Sequence, residues 1–245
     1  MKRLLLPALL LTTLTACTAA PADTLPAAAP TPTPTSTPAP TAAPTPADAL
    51  TPEEKIGQLF IIRPDALDLT LPQETINDAK ADGVTMLTDA MRETLQAYPV
   101  GGICQFGKNI TDPEQLAQFN ADLQAASRTP LFIAVDEEGG AVARLANHPA
   151  FDLPQYESAA AVGASGDPAD ACTMGQTIGA YLKEYGFNMD FAPDADVNTN
   201  PDNPIIGTRA FSSDAAIAAE MAAAAADGLR TGGILPTLKP FPGHG

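Results

Sequence analysis

The segment ILPTLKPFPGHG, residues 234–245, combines an apolar run with a single lysine and a rigid turn. Its apolar residues predict a strand over 234–238, and Lys239 follows at the carboxyl end of that strand. The Pro-Phe-Pro-Gly sequence after Lys239 prevents the strand from continuing, because proline has a fixed φ angle and no N–H to donate. Parallel α/β barrels carry their functional side chains at this end of the strands. The segment therefore indicates a barrel strand that presents Lys239 at its mouth.

Strands and single helices alternate over residues 51–245, which we predict to be the folded domain. Strands are predicted over 59–62, 103–106, 131–135, 187–192 and 234–238, although Pro236 argues against a regular central strand at the last of these. Helices are predicted to start after Thr51, Thr88, Asp112 and Asp167, with a further helix over 214–230 capped by Ser212 or Ser213. Gly186 is predicted to end the fourth of these helices.

This alternation predicts βαβ units and a parallel sheet. No Gly-x-Gly-x-x-Gly turn follows the first predicted strand, which argues against an open dinucleotide-binding sheet. Charged residues follow several different strands, which favours a barrel. The predicted fold class is therefore α/β, a (β/α)8 TIM-type barrel. We expect the sequence to hold about the first five βα units of that barrel, truncated at the C-terminus.

The N-terminal 50 residues predict export. Residues 1–16 have a basic start and an apolar stretch, the pattern of a secretory signal that is too short to span a bilayer. Leu14-Thr15-Ala16-Cys17 resembles the lipobox of bacterial lipoproteins, so Cys17 is predicted to be lipidated; the alternative is an ordinary signal peptide with a chance cysteine. Residues 17–50 read as a Pro/Thr/Ala-rich disordered linker. These features predict a domain tethered by lipid to the outer side of the cell membrane.

Composition excludes several classes of partner. The formal charge of −16 makes nucleic acid and anionic lipid surfaces unfavourable partners. Three cysteines and two histidines form neither a disulfide framework nor a metal-ligand spacing, so no metal is predicted. Cys104 and Cys172 are expected to be buried thiols in a strand and a helix. We expect a monomer without a cofactor.

Charged side chains that follow predicted strands are the candidate binding residues. They are Asp136 with Glu137 and Glu138; Asp190, which interrupts its strand at an inward or mouth position, with Asp194 and Asp196; Arg144; Arg209; and Lys239. Carboxylates accept hydrogen bonds from hydroxyl groups, whereas arginine and lysine donate them. A ring of such groups suits a polyhydroxylated ligand.

Three motifs resemble glycoside hydrolase family 3, and most closely its bacterial β-N-acetylhexosaminidase branch. They are VDEEGG at 135–140, NTNPDNP at 198–204 with IGTRAF at 206–211, and KPFPGHG at 239–245. The resemblance extends from about residue 51 to the C-terminus. It implies a (β/α)8 barrel and retaining hydrolysis of terminal β-linked N-acetylglucosamine in peptidoglycan-derived or related glycans. It also implies an Asp nucleophile and a His–Asp acid/base pair.

The resemblance also implies roles for individual residues. Asp136, Arg144, Arg209 and Lys239 match the family's sugar-binding residues, and His244 matches a glycine-flanked histidine that we interpret as shaping its loop. The family's nucleophile and acid/base lie beyond the position of Gly245, so no catalytic residue is expected within the chain. We therefore expect residues 1–245 alone to show no turnover of an aryl N-acetylglucosaminide.

The chain departs from the family pattern at four positions. Ala141 stands where arginine is usual, Thr208 and Ala210 stand where aspartate and serine are usual, and Pro240 replaces a substrate-binding histidine. Pro240 offers no side-chain donor, which weakens the assignment of the sugar. We hypothesise that a cis Lys239–Pro240 bond shapes the Lys239 turn. The alternatives are a β-glucosidase or β-xylosidase of the same family, or a non-catalytic sugar-binding lipoprotein.

Overall fold

The computed structural model describes residues 45–244, whose main sheet has five parallel strands. In chain order the strands are β1 (Ile61–Ile62), β2 (Gly102–Cys104), β3 (Phe132–Val135), β4 (Glu137–Gly139), β5 (Val142–Ala143), β6 (Met189–Asp190) and β7 (Leu235–Pro236). The sheet order is β1-β2-β3-β6-β7, and β4 and β5 form a separate antiparallel pair. The predicted α/β fold with a parallel sheet is confirmed, although every strand is shorter than predicted.

Seven α-helices lie within the described residues. They are α1 (Pro52–Gly57), α2 (Gln73–Asn77), α3 (Asp89–Ala97), α4 (Pro113–Ala126), α5 (Ala159–Gly163), α6 (Pro168–Glu184) and α7 (Ala215–Thr231). The predicted capping residues Thr51, Thr88, Asp112 and Asp167 each accept a hydrogen bond from a first-turn amide. Gly186, with φ of 82°, follows the end of α6 as predicted. These helix starts are local features, which explains why the sequence predicted them well.

The cap of α7 was predicted at the wrong residue. Asp214 is the cap, because its Oδ1 accepts hydrogen bonds from the amides of Ala216 and Ile217 at 2.8 and 3.1 Å. Ser212 instead accepts a hydrogen bond from the Asp214 amide at 3.0 Å. A carboxylate is a stronger acceptor than a hydroxyl, and it also interacts favourably with the helix dipole. The helix therefore begins one residue later than predicted.

Pro236 lies in β7, which is an edge strand among the described residues. The amides of Leu235 and Thr237 donate to Asn188 and Asp190, so this side of β7 forms the ladder with β6. Backbone N–H groups of successive strand residues point to opposite sides, which directs the nitrogen of Pro236 away from β6. Proline is tolerated here because its missing N–H is not required by the pairing with β6.

The sheet has apolar clusters on both faces. Successive strand residues point to opposite faces. The larger cluster contains Ile133 together with Leu116 of α4 and Leu182 of α6, and so lies between the sheet and the helices. The smaller cluster contains Cys104 and Met189 on the other face. The helix-covered face therefore holds most of the core, while the second face holds only a small part of it.

The two cysteines within the described residues are both free thiols. Cys104 is buried as predicted, and burial, reinforced by the Asp136 carboxylate, raises the pKa of its thiol to about 12. Cys172 is only partly buried, so the prediction of burial was wrong for this residue. It lies on α6 at the edge of the face formed by Ala171 and Gly175, which are buried. Because the pKa of the Cys104 thiol is about 12, Cys104 remains protonated at neutral pH.

Helices α6 and α7 pack with their backbones in close contact. A Cβ atom on Gly175 would lie 2.1 Å from the carbonyl oxygen of Ala225, and one on Gly228 would lie 2.1 Å from that of Cys172. Real Cβ atoms do not approach a backbone oxygen this closely. Glycine normally weakens a helix by about 1 kcal/mol relative to alanine. At these two positions the close packing of α6 against α7 offsets that loss.

Replacing Gly228 with alanine is expected to lower the free energy of unfolding by about 1–3 kcal/mol, because overpacking outweighs the gain in helix propensity. Urea denaturation followed by far-UV circular dichroism measures the change. Gly107→Ala is the matched control, since no heavy atom lies within 4 Å of its added Cβ. If Gly228→Ala proved as stable as the control, the interpretation of the α6–α7 contact would be wrong.

The predicted signal segment and Cys17 lie outside the described residues, as does most of the predicted linker. The last linker residues, Pro46–Ala49, form one turn of 3₁₀ helix. Among residues 45–244, none of the helices has the length and apolar character needed to cross a bilayer.

Candidate functional site

Six charged side chains meet at the carboxyl end of the parallel strands. We call them the charged cluster, and they are Asp136, Glu138, Arg144, Asp194, Arg209 and Lys239. Asp136 follows β3 and Lys239 closely follows β7, whereas Asp194 and Arg209 lie in the long segment after β6. The carboxyl ends of parallel strands lie at one edge of a sheet, which is why residues so distant in sequence come together. The cluster contains all four sequence-predicted binding residues.

Glu138 is the centre of the cluster. Its side chain is only 2% exposed, and it accepts two hydrogen bonds from Arg209: Nε to Oε2 at 2.8 Å and Nη2 to Oε1 at 2.7 Å. The ammonium of Lys239 lies 2.7 Å from Oε1 of the same carboxylate. Asp194 lies 3.4 Å from Nη2 of Arg209. These contacts fix the orientations of the Arg209 and Lys239 side chains.

The electrostatics of the cluster keep both of these cations charged. Hydrogen bonding to Glu138 raises the pKa of Arg209 above its usual value. Burial alone would lower the pKa of Lys239, but its hydrogen bonds to Asp136 and Glu138 outweigh that effect and raise the pKa. Opposite charges at hydrogen-bond distance favour the ionised forms. Arg209 and Lys239 are therefore both protonated donors throughout the physiological pH range.

Asp136 links two cations of the cluster. Its Oδ1 accepts a hydrogen bond from Lys239, and its Oδ2 lies 3.6 Å from Nη2 of Arg144. Asp136 is 17% exposed and Arg144 is 35% exposed, so both remain accessible to a ligand. Within the described residues, the buried Nε of Arg144 has no hydrogen-bond partner. The guanidinium therefore has one donor that none of residues 45–244 accepts.

Glu137 lies between Asp136 and Glu138 in the sequence, but its side chain points away from the charged cluster. It is fully buried, and it accepts hydrogen bonds from the amides of Leu145 and Ala146 at 2.9 and 2.8 Å and from the Tyr181 hydroxyl at 2.9 Å. Burial raises the pKa of Glu137 above its usual value. The sequence grouped Glu137 with the ligand-facing carboxylates, but the structure places it beneath the segment that carries Arg144. Its contacts hold this segment in position.

Asp190 ends β6 and so lies at the predicted mouth end of the strand, but it is absent from the cluster. The predicted inward direction of its side chain was wrong. It pairs in register with Val135, which belongs to the helix-covered core. Its Oδ1 accepts a hydrogen bond from the amide of Glu137 at 3.0 Å, whereas its Oδ2 is buried without a hydrogen-bond partner among the described residues. Burial raises the pKa of Asp190 well above its usual value.

This burial predicts a dependence of stability on pH. Because the pKa of Asp190 is higher in the folded than in the unfolded state, the folded state binds more protons, and stability falls as pH rises above about 4. Glu137 acts in the same direction, while Lys239 opposes the shift of Asp190. Asp190→Asn is expected to reduce this slope and to raise the unfolding free energy at pH 7 by about 1 kcal/mol.

Thermal denaturation between pH 4 and pH 8 tests the prediction. Asp227→Asn is the matched control because the Asp227 side chain is 72% exposed. An Asp190→Asn variant with the pH profile of the unchanged protein would contradict the assigned role of burial.

The turn after Lys239 is joined to the segment after β6. The Lys239 carbonyl accepts a hydrogen bond from the Ala195 amide at 2.7 Å, and the Lys239–Pro240 bond is cis, as hypothesised. The amide of His244 donates to Asp196 at 2.6 Å, and Nδ2 of Asn203 donates to the His244 carbonyl at 3.1 Å. The exposed His244 ring, whose Nδ1 lies 3.1 Å from Asn203, is not part of the charged cluster.

The structure adds residues that the sequence did not single out. They are Glu138 and Asp194, which the sequence does not distinguish from the acids beside them, together with Arg63 and Lys108. Arg63 follows β1 directly, so the rule that located the other charged residues would also have found it. Within residues 45–244, no group of three or more His, Cys, Asp or Glu side chains is arranged to hold a metal ion.

Comparisons with known proteins agree with the motifs. The model of the glycosyl hydrolase family 3 N-terminal domain matches residues 51–245. The chain is 35% identical over 167 residues to β-hexosaminidase A of Pseudoalteromonas piscicida, covering 66% of this chain and 28% of that protein. It is 33% identical over 191 residues to β-hexosaminidase LpqI of Mycobacterium tuberculosis, covering 72% of this chain and 44% of that protein. The chain thus spans less than half of the length of either relative.

A solved structure gives the same result for the fold. The glycoside hydrolase family 3 β-N-acetylglucosaminidase from Paenibacillus sp. str. FPU-7 superposes with a TM-score of 0.66 at 34% identity, covering 80% of this chain and 34% of that one. The five parallel strands are accordingly strands of a TIM-type (β/α)8 barrel, as predicted. The family match extends over most of the chain and includes every residue of the charged cluster. This chain therefore belongs to glycoside hydrolase family 3.

Proposed function

We propose that the protein is a retaining glycoside hydrolase that acts on terminal β-linked N-acetylglucosamine in peptidoglycan-derived or related glycans. The observation that carries the proposal is the charged cluster, in which Lys239 pairs with Asp136 and Glu138, and Arg209 pairs with Glu138. Asp136, Lys239 and Arg209 remain partly exposed. A sugar ring offers hydroxyl groups that can both donate and accept hydrogen bonds, and the cluster presents both kinds of partner. The relatives' names, β-hexosaminidase, support this substrate class.

In this proposal, the members of the cluster have different tasks. Asp136 accepts hydrogen bonds from sugar hydroxyls, while Arg144, Arg209 and Lys239 donate to sugar oxygens. Glu138, almost fully buried, fixes Arg209 and Lys239 in place. Ordered donors and acceptors lose little conformational entropy when a ligand binds, which favours affinity.

The proposal assigns loop shaping to Pro240 and His244. Supporting contacts are the hydrogen bonds that join His244 to Asp196 and Asn203. Residues 51–245 supply the sugar-binding residues in this proposal.

We also propose that the protein is an exported, monomeric lipoprotein, anchored at Cys17 and facing the extracellular or periplasmic side. The support is the basic and apolar start of the sequence, followed by the lipobox-like residues and a Pro/Thr/Ala-rich linker. Incorporation of radiolabelled palmitate, compared with a Cys17→Ser variant, tests the anchor. Equal labelling of the two proteins would contradict it.

The activity is tested by measuring hydrolysis with the protein isolated from the cells that naturally express it. The expected result is release of 4-nitrophenol from 4-nitrophenyl N-acetyl-β-D-glucosaminide, with the β-anomer of N-acetylglucosamine as the first product in NMR spectra. Faster hydrolysis of the corresponding glucoside or xyloside would favour the alternative specificity within the family. Sugar binding without turnover of any of these substrates would favour a non-catalytic sugar-binding lipoprotein.

A further inference from the structure

A pocket adjoins the charged cluster beyond the carboxyl ends of β1 and β2. It has a volume of about 320 Å³ and is lined by Arg63, Ala79, Phe106, Gly107, Lys108 and Arg144. Arg144 lines the pocket and also pairs with Asp136, so the pocket lies directly beside the candidate sugar site. Its volume is at the lower end of the range for small-molecule sites, which fits a substituent or one small ring.

Lys108 contributes to the framework of this pocket. Its side chain is 5% exposed, and its ammonium donates to the carbonyl oxygens of Thr75, Ile76 and Asp78 at 2.9–3.2 Å. It also lies 3.4 Å from the buried Asp65 carboxylate. With these four partners, Lys108 holds the end of α2 against the pocket wall. It contributes positive charge, but its donors are already used.

Arg63 has guanidinium donors without a partner among the described residues. Its guanidinium carbon lies 4.3 Å from the centroid of the Phe106 ring, and Nη1 donates to the Ile76 carbonyl at 3.0 Å. These two contacts fix the plane of the guanidinium group, which has five N–H donors in all. Arg144 lines the same pocket, and its buried Nε has no hydrogen-bond partner among the described residues. Two guanidinium groups from separate segments of the chain thus line one cavity.

The charge of this pocket contrasts with that of the whole chain. Three cations line it, whereas the sequence as a whole has a formal charge of −16. Asp65 pairs with Lys108, and Asp136 pairs with Arg144 and Lys239. Arg63 donates to a backbone carbonyl and packs on an aromatic ring, so neither of these contacts neutralises its charge.

We propose that this pocket binds an anionic substituent, a carboxylate or a phosphate, carried by the sugar in the charged cluster. The inference rests on the proposed function, because the charged cluster must hold a sugar for the substituent to reach Arg63. A fixed guanidinium matches the oxygen spacing of both anions, so Arg63 is the main recognition residue. Specificity for acidic glycans would then reside in this pocket, separate from recognition of the sugar ring.

Three monosaccharides that share one ring test the proposal. They are N-acetylglucosamine, N-acetylmuramic acid with its carboxylate, and N-acetylglucosamine 6-phosphate, each titrated into the purified chain by isothermal titration calorimetry. At least one acidic sugar is expected to bind about tenfold more tightly than the neutral sugar. Comparison of the two acidic sugars identifies which anion the pocket accepts. The gain is expected to shrink in 1 M NaCl, because salt screens charge interactions.

Arg63→Gln is expected to remove the gain and to leave the affinity for N-acetylglucosamine unchanged. Glutamine retains an N–H donor for the Ile76 carbonyl, and Arg230→Gln, at a side chain that is 57% exposed on α7, is the matched change of charge. A gain that persists in Arg63→Gln or in 1 M NaCl would overturn the proposal, as would equal binding of all three sugars. Failure of N-acetylglucosamine itself to bind would instead contradict the proposed function.

Discussion

Asp136→Ala is expected to weaken the binding of N-acetylglucosamine to the purified chain by about 100-fold or more. The carboxylate is a partly exposed acceptor of the charged cluster, and each hydrogen bond to a charged group contributes about 1.5–3 kcal/mol. Loss of two such bonds to adjacent hydroxyls accounts for the expected decrease. Isothermal titration calorimetry measures the affinity. The same substitution in the protein isolated from the cells that naturally express it should reduce hydrolytic activity in parallel.

The fold should survive this change, because Lys239 keeps its pairing with Glu138 at 2.7 Å. Equal melting temperatures for the variant and the unchanged chain would establish that binding, and not folding, is affected. Asp227→Ala removes an exposed carboxylate from α7 and serves as the control. Binding by Asp136→Ala within about threefold of that control would show that Asp136 does not contact the sugar.

Glu137→Ala is expected to lower the free energy of unfolding by about 3 kcal/mol. The substitution leaves two backbone amides and the Tyr181 hydroxyl without their buried acceptor, and each such loss costs about 1–3 kcal/mol. Removal of a buried carboxylate with a raised pKa offsets part of this loss. Urea denaturation at pH 7 measures the net effect.

Two further variants separate the contributions. Tyr181→Phe removes only one hydrogen bond and is expected to cost about 1 kcal/mol, and Glu137→Gln should be intermediate between it and Glu137→Ala. Because Glu137 holds the amides that follow Arg144, Glu137→Ala should also weaken sugar binding. A Glu137→Ala protein as stable as the unchanged chain would contradict the supporting role.

The sequence predicted the helices better than the strands. A helix start is set by a few adjacent residues, such as Thr51 with Pro52, and these signals were found where the helices begin. Strand length depends on partners far along the chain. Leu59 was assigned to the first strand, yet it lies in a turn and is 82% exposed. The β7 ladder likewise depends on which side of Pro236 faces β6, which the sequence does not state.

The same distinction applies to the candidate site. Asp136, Arg144, Arg209 and Lys239 come together because parallel strands end at one edge, a rule that needs only the order of elements. The rule does not state which way each acid points. Glu137 and Asp190 follow or interrupt strands as Asp136 does, but they face the packed side and are buried. Alternation along β4 distinguishes Glu137 from Glu138 once its bounds are known.

The charged cluster contains three carboxylates and three cations, and this balance bears on the speed of sugar capture. At distances larger than the cluster, the electric fields of its positive and negative charges largely cancel. A neutral sugar therefore gains nothing from long-range attraction. Its association rate is then set by diffusion and by the fit of the final encounter, and ionic strength has little influence on it. An acidic glycan, by contrast, approaches against a chain of formal charge −16 and is attracted only within about 10 Å of the pocket. The association rates of neutral and acidic sugars therefore depend differently on salt concentration.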